Sequence, residues 1–462
     1  MQPCLLLVGT IPFREFVVDE VLRVAATLGL SVLLVDREDT QPAARSSRLK
    51  GVVTAPIGDN DPSAEAEVCA RVQRYCADHQ IEITGVYAPF NPYVEVGARL
   101  AECFSAAGNS YSSVRACQSK LGMRRALAAD PLLSTPFKVL RYEREAREWL
   151  TELGGAFVIK PSRGAGSRGV ITGIESADAA ALAFRNVSHY LSRSRSEVAA
   201  VLRSNSGDYS IVMERQLDGP EVDVELVLQE GTTCFAAVAD NPEIRLPDLI
   251  ETSSTYPSSL SSGRQNDFIA CAQRALQLLG MRNGNFHVEM VETHAGPKVI
   301  EINVRMGGAF VWHAIKEAYG VSLIEFGIKA LYGALSEADP LPQHGQVIES
   351  KFFIPNTSGT LVGCVGLGTL GQMSGIVHYQ LWKSMGDSVL SYANDASDYL
   401  GTVLAAGSSH EQAQRNATAA LAGVAFQILD SNGQVQTSPG DFMHDASVLI
   451  AQPPKSYASK NK

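Results

Sequence analysis

The stretch FHVEMVETHAGPKVIEINVRMGG, residues 286–308, holds two alternating segments joined by the short loop THAGPK. Side chains along a strand point alternately to the two faces of a sheet, and apolar residues occupy one face here. The opposite face carries His287, Glu289, Glu301, Asn303 and Arg305. The pattern predicts an antiparallel hairpin with one apolar and one polar face.

The loop length sets the expected register of this hairpin. Folding the chain about the loop places Glu289 opposite Glu301 and His287 opposite Asn303, and a slip of one residue would reverse the faces. Two carboxylates at cross-strand distance repel each other, and burying them uncompensated is costly. Carboxylates beside an amide suit Mg²⁺, which prefers hard oxygen ligands. A structural ion pair on a solvated strand face is the alternative interpretation.

A glycine-rich loop, SRGAGSRG at residues 162–169, follows the apolar strand AFVIK, which ends at Lys160. Small residues allow backbone N–H groups to approach phosphate oxygens. The loop is not a Walker motif, because GxxxxGK[ST] is missing. A glycine-rich hairpin and a surface lysine are the alternative, but the loop together with the polar hairpin favours a nucleotide site.

Composition narrows the class of protein. The chain has 462 residues, of which 45% are hydrophobic and 19% charged, as is typical of a soluble globular protein. Its net charge of -10 argues against a sequence-independent nucleic-acid binder. No apolar run reaches the roughly 18 residues of a membrane span. The start, MQPCLLLVGTIPFREF, lacks a basic segment and is interpreted as a first strand, not a signal peptide.

The eight cysteines are scattered, and no CxxC pair occurs. This distribution predicts reduced, buried thiols in a cytoplasmic protein.

The first part of the chain alternates strands with helices. CLLLVG, the periodic run EFVVDEVLRVAATLG and SVLLVD predict strand, helix and strand, and ITGVYAPF begins a further unit. Continuous apolar strands separated by helices favour a parallel sheet covered on both faces.

Helical periodicity recurs later in the chain, in SVRACQSKLGMRRALAAD, DFIACAQRALQLLG and FVWHAIKEAYGVSLIEFGIKALYG. SIVMERQLDGPEVDVELVLQEG predicts two strands around DGPE. Beyond about residue 345, short strands and glycine-rich turns predict an α+β lobe, and the polar end QPPKSYASKNK is expected to fray.

These motifs, in this order, resemble the ATP-grasp superfamily of carboxylate–amine ligases. EINVRMGG and the C-terminal lobe resemble its L-amino-acid ligase (dipeptide synthase) and carnosine-synthase-like branch. The resemblance implies an ATP-grasp fold of mixed α/β and α+β class. Its expected parts are an N-terminal pre-ATP-grasp domain with a parallel sheet (1–115), a small subdomain with the glycine-rich loop (116–205), a central subdomain with the hairpin (206–345) and a C-terminal α+β lobe (346–462).

The same resemblance implies an ATP site. Glu214, the Gln216 backbone and Leu217 would hold adenine, and Glu221 the ribose hydroxyls. The phosphates would contact Lys120, Lys160, Ser162, Gly164, Gly166, Ser167 and Gly169. Taken singly, Glu214 and Glu221 could be surface acids and Lys120 an exposed helix lysine; their shared order favours the site.

Roles in catalysis also come from the resemblance. Glu289, Glu301 and Asn303 would bind two Mg²⁺ ions, with Mn²⁺ as the alternative metal. Arg305 would stabilise an acyl-phosphate, and the substrate would contact Glu251, Arg305, Gly307 and Gly308. His287 is either a supporting residue beside the metals or a satisfied core histidine, and His378 is interpreted as structural.

The expected function is therefore ATP-dependent joining of two amino acids, with release of ADP and phosphate. Two alternatives remain: a ligase or carboxylase acting on a metabolite other than an amino acid, and a nucleotide-binding module without turnover. Small-molecule amino acids are the expected partners, with neither nucleic acid nor membrane, and the family resemblance suggests a homodimer.

Overall fold

A computed structural model describes most of the chain in two compact units. The first comprises Met1–Ala165, Gly169–Asp240 and Pro257–Gly345, and the second Gly166–Arg168, Asn241–Tyr256 and Gln346–Lys462. The described residues are 3–11, 14–37, 48–58, 62–164, 166–194, 210–241, 244–245, 250–308, 310–335, 345–391 and 399–441. The domain boundary expected at residues 205 and 206 and the tail expected to fray lie outside them.

The first unit begins with a parallel four-stranded sheet, as the alternating strands and helices predict. Its strands are β1 (Cys4–Val8), β2 (Ser31–Asp36), β3 (Gly51–Thr54) and β4 (Ile83–Tyr87), in the order β3-β2-β1-β4. The accompanying helices are α1 (Glu15–Thr27), α2 (Pro62–Asp78) and α3 (Val94–Phe104), the last preceded by a 3-10 turn (Asn91–Tyr93). Strand β1 is buried along its whole length, which explains its uninterrupted apolar sequence.

A small antiparallel sheet follows and carries the glycine-rich loop. Its strands are β5 (Phe137–Leu140), β6 (Phe157–Pro161), β7 (Ile171–Ile174) and β8 (Ile211–Arg215), in the order β5-β8-β6-β7. The helices of this region are α4 (Tyr111–Cys117), α5 (Lys120–Leu127), α6 (Glu143–Leu153) and α7 (Ala177–Ser194). Helices α6 and α7 share a hydrophobic core with this sheet. The loop joins β6 to β7, as predicted.

The predicted hairpin lies in the central sheet of the first unit. Its strands are β9 (Glu221–Gln229), β10 (Thr232–Asn241), β14 (Gly284–Thr293) and β15 (Gly296–Asn303), in the order β15-β14-β9-β10. Three helices belong to this region: α8 (Ser262–Leu278), α9 (Val311–Tyr319) and α10 (Leu323–Leu331). Phe268, Ala272 and Leu276 of α8 pack in one core with the apolar side chains of β9, β14 and β15.

Two of the predicted helical stretches are each divided into two helices. The Ser119 side chain accepts a hydrogen bond from Gly122 N and starts α5 directly after α4. Gly320 ends α9 with a φ of 71°, and Ser322 caps α10. Periodicity alone missed these breaks because apolar spacing continues across them, whereas serine caps and a left-handed glycine stop the backbone ladder.

The second unit is built of short strands, as its glycine-rich turns predict. Its strands are β11 (Ile244–Arg245), β12 (Ile250–Glu251), β13 (Ser253–Tyr256), β16 (Val347–Phe353), β17 (Gly359–Val365), β18 (Ile376–Leu381), β19 (Ser388–Val389), β20 (Gly401–Gly407), β21 (Ala425–Leu429) and β22 (Val435–Pro439). They form the orders β13-β16-β20-β18, β19-β17-β21-β22 and β11-β12. A 3-10 turn (Leu367–Gln372) and helix α11 (His410–Ala422) complete the unit, and α11 packs on its core through Ala420 and Leu421. Across the described parts of both units, every helix is too short or too polar to cross a membrane.

Candidate functional site

The hairpin of β14 and β15 has the predicted register. Glu289 pairs with Glu301 and His287 with Asn303, with a bulge directly after Glu289. Alternation therefore places the two carboxylates and the amide on one face of the sheet. The pairing confirms the hairpin prediction.

Strand β15 ends at Asn303, so Arg305 lies in the segment that follows the strand. The prediction that Arg305 continues the strand face is wrong in this respect. The backbone bends after Asn303, and the Arg305 Nη1 atom donates to the Met306 carbonyl at 2.6 Å. The bend separates the arginine from the strand, so its side chain is oriented by the following loop and not by the pleat of the sheet.

Strand β9 adds two further acids beside the hairpin. Asp223 pairs with Glu289 and Glu225 with His287. Since Glu289 and His287 also pair with Glu301 and Asn303, two rows of polar side chains cross the three strands. The His287 Nδ1 atom lies 2.5 Å from Glu225 Oε1, and its Nε2 atom lies 3.5 Å from Glu289 Oε1. Burial acts to lower the pKa of His287, but the Glu225 and Asp223 carboxylates raise it well above its usual value. His287 is thus a buried cation among acids.

Glu225 also holds the segment after the hairpin. It is 1% exposed, and its Oε2 atom accepts the Gly307 N–H at 3.1 Å. A Cβ atom on Gly307 would lie 2.5 Å from Glu225 Oε1, so this close approach requires glycine. Sequence reasoning missed Glu225; the alternation of EVDVEL in β9, two residues from Asp223, was the available signal.

The charges on the hairpin are balanced by neighbouring cations. The Lys120 Nζ atom lies 3.1 Å from Glu301 Oε2, and the Asn303 Nδ2 atom donates to Glu289 Oε1 at 3.2 Å. Burial acts to raise the pKa of Glu289, but His287, Lys120 and Arg305 lower it below the usual value. Glu289 is accordingly ionised and available as a ligand near neutral pH.

The donor set of the hairpin fits Mg²⁺. It consists of hard oxygens, two carboxylates and an amide, which match the usual pattern of one or two carboxylates completed by substrate phosphates. In the described residues, no three His, Cys, Asp or Glu side chains form a metal-binding group by themselves. A magnesium site here therefore depends on Asn303 and on oxygens from a bound nucleotide.

A second buried cluster centres on Glu214, at the end of β8. Arg124 donates to both Glu214 carboxylate oxygens at 2.9 Å, and the Lys160 Nζ atom lies 2.9 Å from Glu214 Oε2. Burial acts to raise the pKa of Glu214, but Arg124 and Lys160 together lower it to about 2. Burial also lowers the pKa of Lys160, which Glu214 opposes.

Arg124 was not among the predicted site residues. It is 1% exposed, and its Nη1 atom donates to the Val299 carbonyl of β15 at 2.7 Å, which links the small sheet to the hairpin. The signal was present in the sequence: Arg124 follows Lys120 by four residues, so the two share one face of α5.

The start of the glycine-rich loop is held by the same helix. Ser162 is fully buried, and its carbonyl accepts the Lys120 N–H at 2.7 Å. The Lys120 Nζ atom donates to the Gly164 carbonyl at 2.9 Å, so Lys120 joins the loop to Glu301 of the hairpin. Arg163 forms a buried ion pair with Glu95 of α3.

The later part of the loop needs glycine on steric grounds. Gly169 has a φ of 74°, and a Cβ atom there would meet the Tyr190 ring at 2.8 Å. Gly164 and Gly166 also have positive φ, as does Ser167 at 56°. This left-handed backbone is rare for residues other than glycine, so the loop conformation depends on its composition.

The remaining predicted residues are divided between the first unit and the second unit. Gln216 lies after β8, where its Oε1 atom accepts the Gly173 N–H at 2.7 Å; Leu217 is next to it, and Glu221 begins β9. Glu251 ends β12 in the second unit, where its carbonyl accepts a 2.6 Å hydrogen bond from the Tyr399 hydroxyl. His378 lies in β18 opposite Leu404.

Comparison with known proteins identifies two domains in this chain. Residues 153–312 match the ATP-grasp domain, and residues 351–428 match the L-amino acid ligase C-terminal domain 2. The chain is 40% identical to carnosine synthase 1 of Gallus gallus over 118 residues, which is 26% of this chain and only 13% of that relative.

Solved structures extend the similarity over nearly the whole chain. An L-amino acid ligase from Bacillus licheniformis aligns with a TM-score of 0.74 at 19% identity, covering 92% of this chain and 98% of the other. A phosphoribosylglycinamide synthetase from Anaerococcus prevotii aligns with a TM-score of 0.66 at 13% identity, covering 92% and 99%. At these identities the likeness shows the fold.

The chain therefore has the ATP-grasp fold, and residues 153–312 match the ATP-grasp domain. It combines this domain with a match to a C-terminal domain of the L-amino acid ligase type at residues 351–428.

Proposed function

We propose that this protein is an ATP-dependent ligase that joins two amino acids through an amide bond, with release of ADP and phosphate. The observation that carries the proposal is the pairing of Glu289 with Glu301 beside Lys120. The RMGG segment, residues 305–308, follows this hairpin and begins with Arg305. The two acids would bind a metal, and Lys120 contacts both the hairpin and the glycine-rich loop. Arg305, just after the hairpin, would act on the reacting group.

The proposed reaction proceeds in two steps through an acyl-phosphate. A carboxylate is a poor electrophile, so one of its oxygens first attacks the γ-phosphorus of ATP. The bond from that phosphorus to ADP breaks, which releases ADP and forms an acyl-phosphate. The amine of the second amino acid then attacks the acyl carbon, forms the amide and expels phosphate. The amine gives up a proton, which the phosphate or a nearby base accepts. Positioning and charge neutralisation supply most of the rate enhancement.

Lys120, Lys160 and the backbone of the glycine-rich loop would bind the phosphates of ATP. Glu289, Glu301 and Asn303 would hold Mg²⁺, which supplies positive charge between two anions when bound. Arg305 would stabilise the negative charge that develops on the transferred phosphoryl group, because a guanidinium is a fixed fork for oxyanions. Glu214, Gln216, Leu217 and Glu221 would bind the adenosine moiety, and Gly307 and Gly308 the amino-acid substrate. Glu251 is proposed separately as a substrate-binding residue, on the family resemblance alone.

The match of residues 351–428 to an L-amino acid ligase domain supports amino acids as substrates over another metabolite. The paired carboxylates of the hairpin support turnover over nucleotide binding alone, because a binding module has no need of them next to an arginine. A cytoplasmic location, a homodimer and a division into four domains accompany the proposal as further expectations.

A phosphate-release screen over pairs of the twenty common amino acids tests the proposal, with mass analysis of the product. Release that requires two amino acids and yields their condensed mass supports it. Release with one carboxylate and ammonia or bicarbonate would favour a ligase or carboxylase for another metabolite. Tight ATP binding without release in the presence of any amine would favour a non-catalytic module.

A further inference from the structure

Arg14 is a cation that approaches the RMGG segment from a distant part of the chain. It precedes α1, where its carbonyl accepts the Val17 N–H at 3.1 Å and its own N–H donates to the Ile11 carbonyl at 3.1 Å. The Arg14 Nη1 atom lies 4.0 Å from the point that a Cβ atom on Gly308 would occupy. The guanidinium thus reaches the segment that Arg305 begins.

Aromatic stacking holds the start of α1 in this place. The Phe16 ring stacks on Phe310 with centroids 5.0 Å apart and on Trp312 with centroids 5.9 Å apart. Phe310 is 2% exposed, so the stack is part of the core of the first unit. A buried contact of this kind fixes the helix start against the residues that follow Gly308, and with it the position of Arg14.

The Arg14 guanidinium therefore lies beside Gly308 and within electrostatic range of Arg305. Burial and the neighbouring Arg305 lower the pKa of Arg14 to about 10, as expected when like charges share a partly desolvated site. Glu289 lies within electrostatic range of Arg305, and an anion bound by both guanidiniums would further offset their repulsion. Paired guanidiniums are well suited to a carboxylate, since each offers a fixed fork of N–H donors.

We infer that Arg14 is a further substrate-binding residue, which forms with Arg305 a two-guanidinium site for the carboxylate of an amino-acid substrate. The inference rests on the proposed function and deepens it, because it assigns substrate recognition to the N-terminal part of the chain. It also implies that a substrate lacking the negative charge, such as an amino-acid amide, is a poor ligand.

Direct binding to the full chain tests the inference separately from turnover. The probes are the amino acids that support phosphate release, their carboxamides and inorganic phosphate, each titrated in the presence of MgADP. We expect Arg14→Gln to weaken amino-acid binding by about tenfold or more, the loss typical of one charge-assisted hydrogen bond. MgADP affinity should stay within about twofold of wild type. Arg14→Lys, which keeps the charge without the fork, should lose less than Arg14→Gln.

Arg23→Gln is the matched control, since Arg23 lies on α1, the helix that Arg14 precedes, and pairs with Glu20 at the surface. Wild-type affinity for the amino acid in Arg14→Gln would overturn the inference, as would equal binding of amino acids and carboxamides. A loss that appears only with inorganic phosphate would assign the site to the phosphate product instead, and would also overturn it. If the wild type neither binds nor turns over any amino acid, the proposed function itself fails.

A second inference rests on a different contact, between two cysteines of the N-terminal part. The Cys69 Sγ atom on α2 lies 2.6 Å from the Cys103 Sγ atom on α3, across 34 positions of sequence. This is only about half an ångström longer than a disulfide bond, which measures about 2.05 Å. Cys69 is 6% exposed, whereas Cys103 is partly exposed.

The geometry points to Cys69 and Cys103 as a redox modification site. A small oxidant such as oxidised glutathione would link the two side chains by a disulfide bond. The Cys103 thiolate attacks oxidised glutathione, forms a mixed disulfide and releases one glutathione. The Cys69 thiol then loses its proton and displaces the second glutathione, so two thiols lose two electrons and two protons. Burial and the neighbouring Cys103 raise the pKa of Cys69 to about 12, which slows the second step.

Thiol counting on the whole chain tests this inference. After treatment with oxidised glutathione and denaturation, free thiols should fall from eight to six, and peptide mapping should join Cys69 to Cys103. Cys76→Ser is the matched control and should still form the link, whereas Cys103→Ser should abolish it. A stable glutathione adduct on Cys103, or eight thiols remaining after treatment at raised pH, would overturn the inference.

Discussion

Lys120 contacts both the glycine-rich loop and the hairpin: its Nζ atom donates to the Gly164 carbonyl at 2.9 Å and lies 3.1 Å from Glu301 Oε2. Two segments far apart in sequence therefore share one cation. A nucleotide bound between them would exchange these contacts for contacts with its phosphates, since the lysine has three donors and the carboxylate can bind a metal.

Glu301→Gln tests the hairpin as a metal site. The change keeps the shape of the side chain and removes its charge, so we expect phosphate release to fall by at least about 100-fold, or roughly 2.7 kcal/mol of barrier. Glu292→Gln is the control, because Glu292 lies on the same hairpin but pairs with Arg264. Ligase activity that survives in the Glu301 variant would contradict the metal assignment.

Lys160→Ala tests the nucleotide site. We expect the Kd for ATP to rise by about tenfold, since one charge-assisted contact with phosphate is worth about 1.5–3 kcal/mol. Equilibrium titration with a non-hydrolysable ATP analogue measures the change. Lys138→Ala, on strand β5 of the same sheet, should bind as the wild type does. An unchanged Kd in Lys160→Ala would remove this lysine from the site.

Arg124→Met tests the buried cluster as a structural element. The change leaves the buried Glu214 carboxylate with less compensation, so the free energy of unfolding should fall by about 3–5 kcal/mol. Urea unfolding followed by circular dichroism measures it. Arg125→Met is a close control, since the next residue of the same helix is exposed and should change stability little. Equal effects of the two substitutions would contradict the role of Arg124.

Acid should weaken the same cluster. The pKa of Glu214 in the folded chain is about 2, below its ordinary value of 4.5, so its contribution to stability is present above pH 4.5 and is lost as the pH falls towards 2. That contribution is about 3 kcal/mol, at about 1.36 kcal/mol for each pKa unit. Melting curves from pH 6 to pH 3 should show the difference between wild type and Glu214→Gln shrinking with acid. A difference that does not change with pH would count against an ionised Glu214.

Nucleotide binding should protect the glycine-rich loop. Trypsin cleaves after Arg168, which is exposed in the loop, and bound phosphates would hold the backbone there. We expect a non-hydrolysable ATP analogue with Mg²⁺ to slow this cleavage, as followed by mass spectrometry. Cleavage after the exposed Arg282 serves as the internal control. Equal rates at Arg168 with and without nucleotide would contradict a phosphate-binding role for the loop.

The sequence by itself determined the local elements of this protein. Alternation and a short loop specified the pairing of Glu289 with Glu301, because the side-chain period of a strand leaves one register that buries the apolar face. Uninterrupted apolar strands likewise specified the parallel sheet, since only strands buried on both faces have that composition. Such signals are read over a few residues and need no knowledge of the rest of the chain.

Only the tertiary structure decided which distant residues complete the site. Arg124 contacts Glu214 across 90 positions of sequence, and Glu225 contacts His287 across 62. Arg14, near the start of the sequence, lies close to Gly308. Sequence spacing places Arg124 on the helix face of Lys120 and Glu225 on the strand face of Asp223, but it does not identify the residues that they contact. Their roles arise because folding removes them from water, and a buried charge must then find a partner, which the packing of the helices and sheets selects.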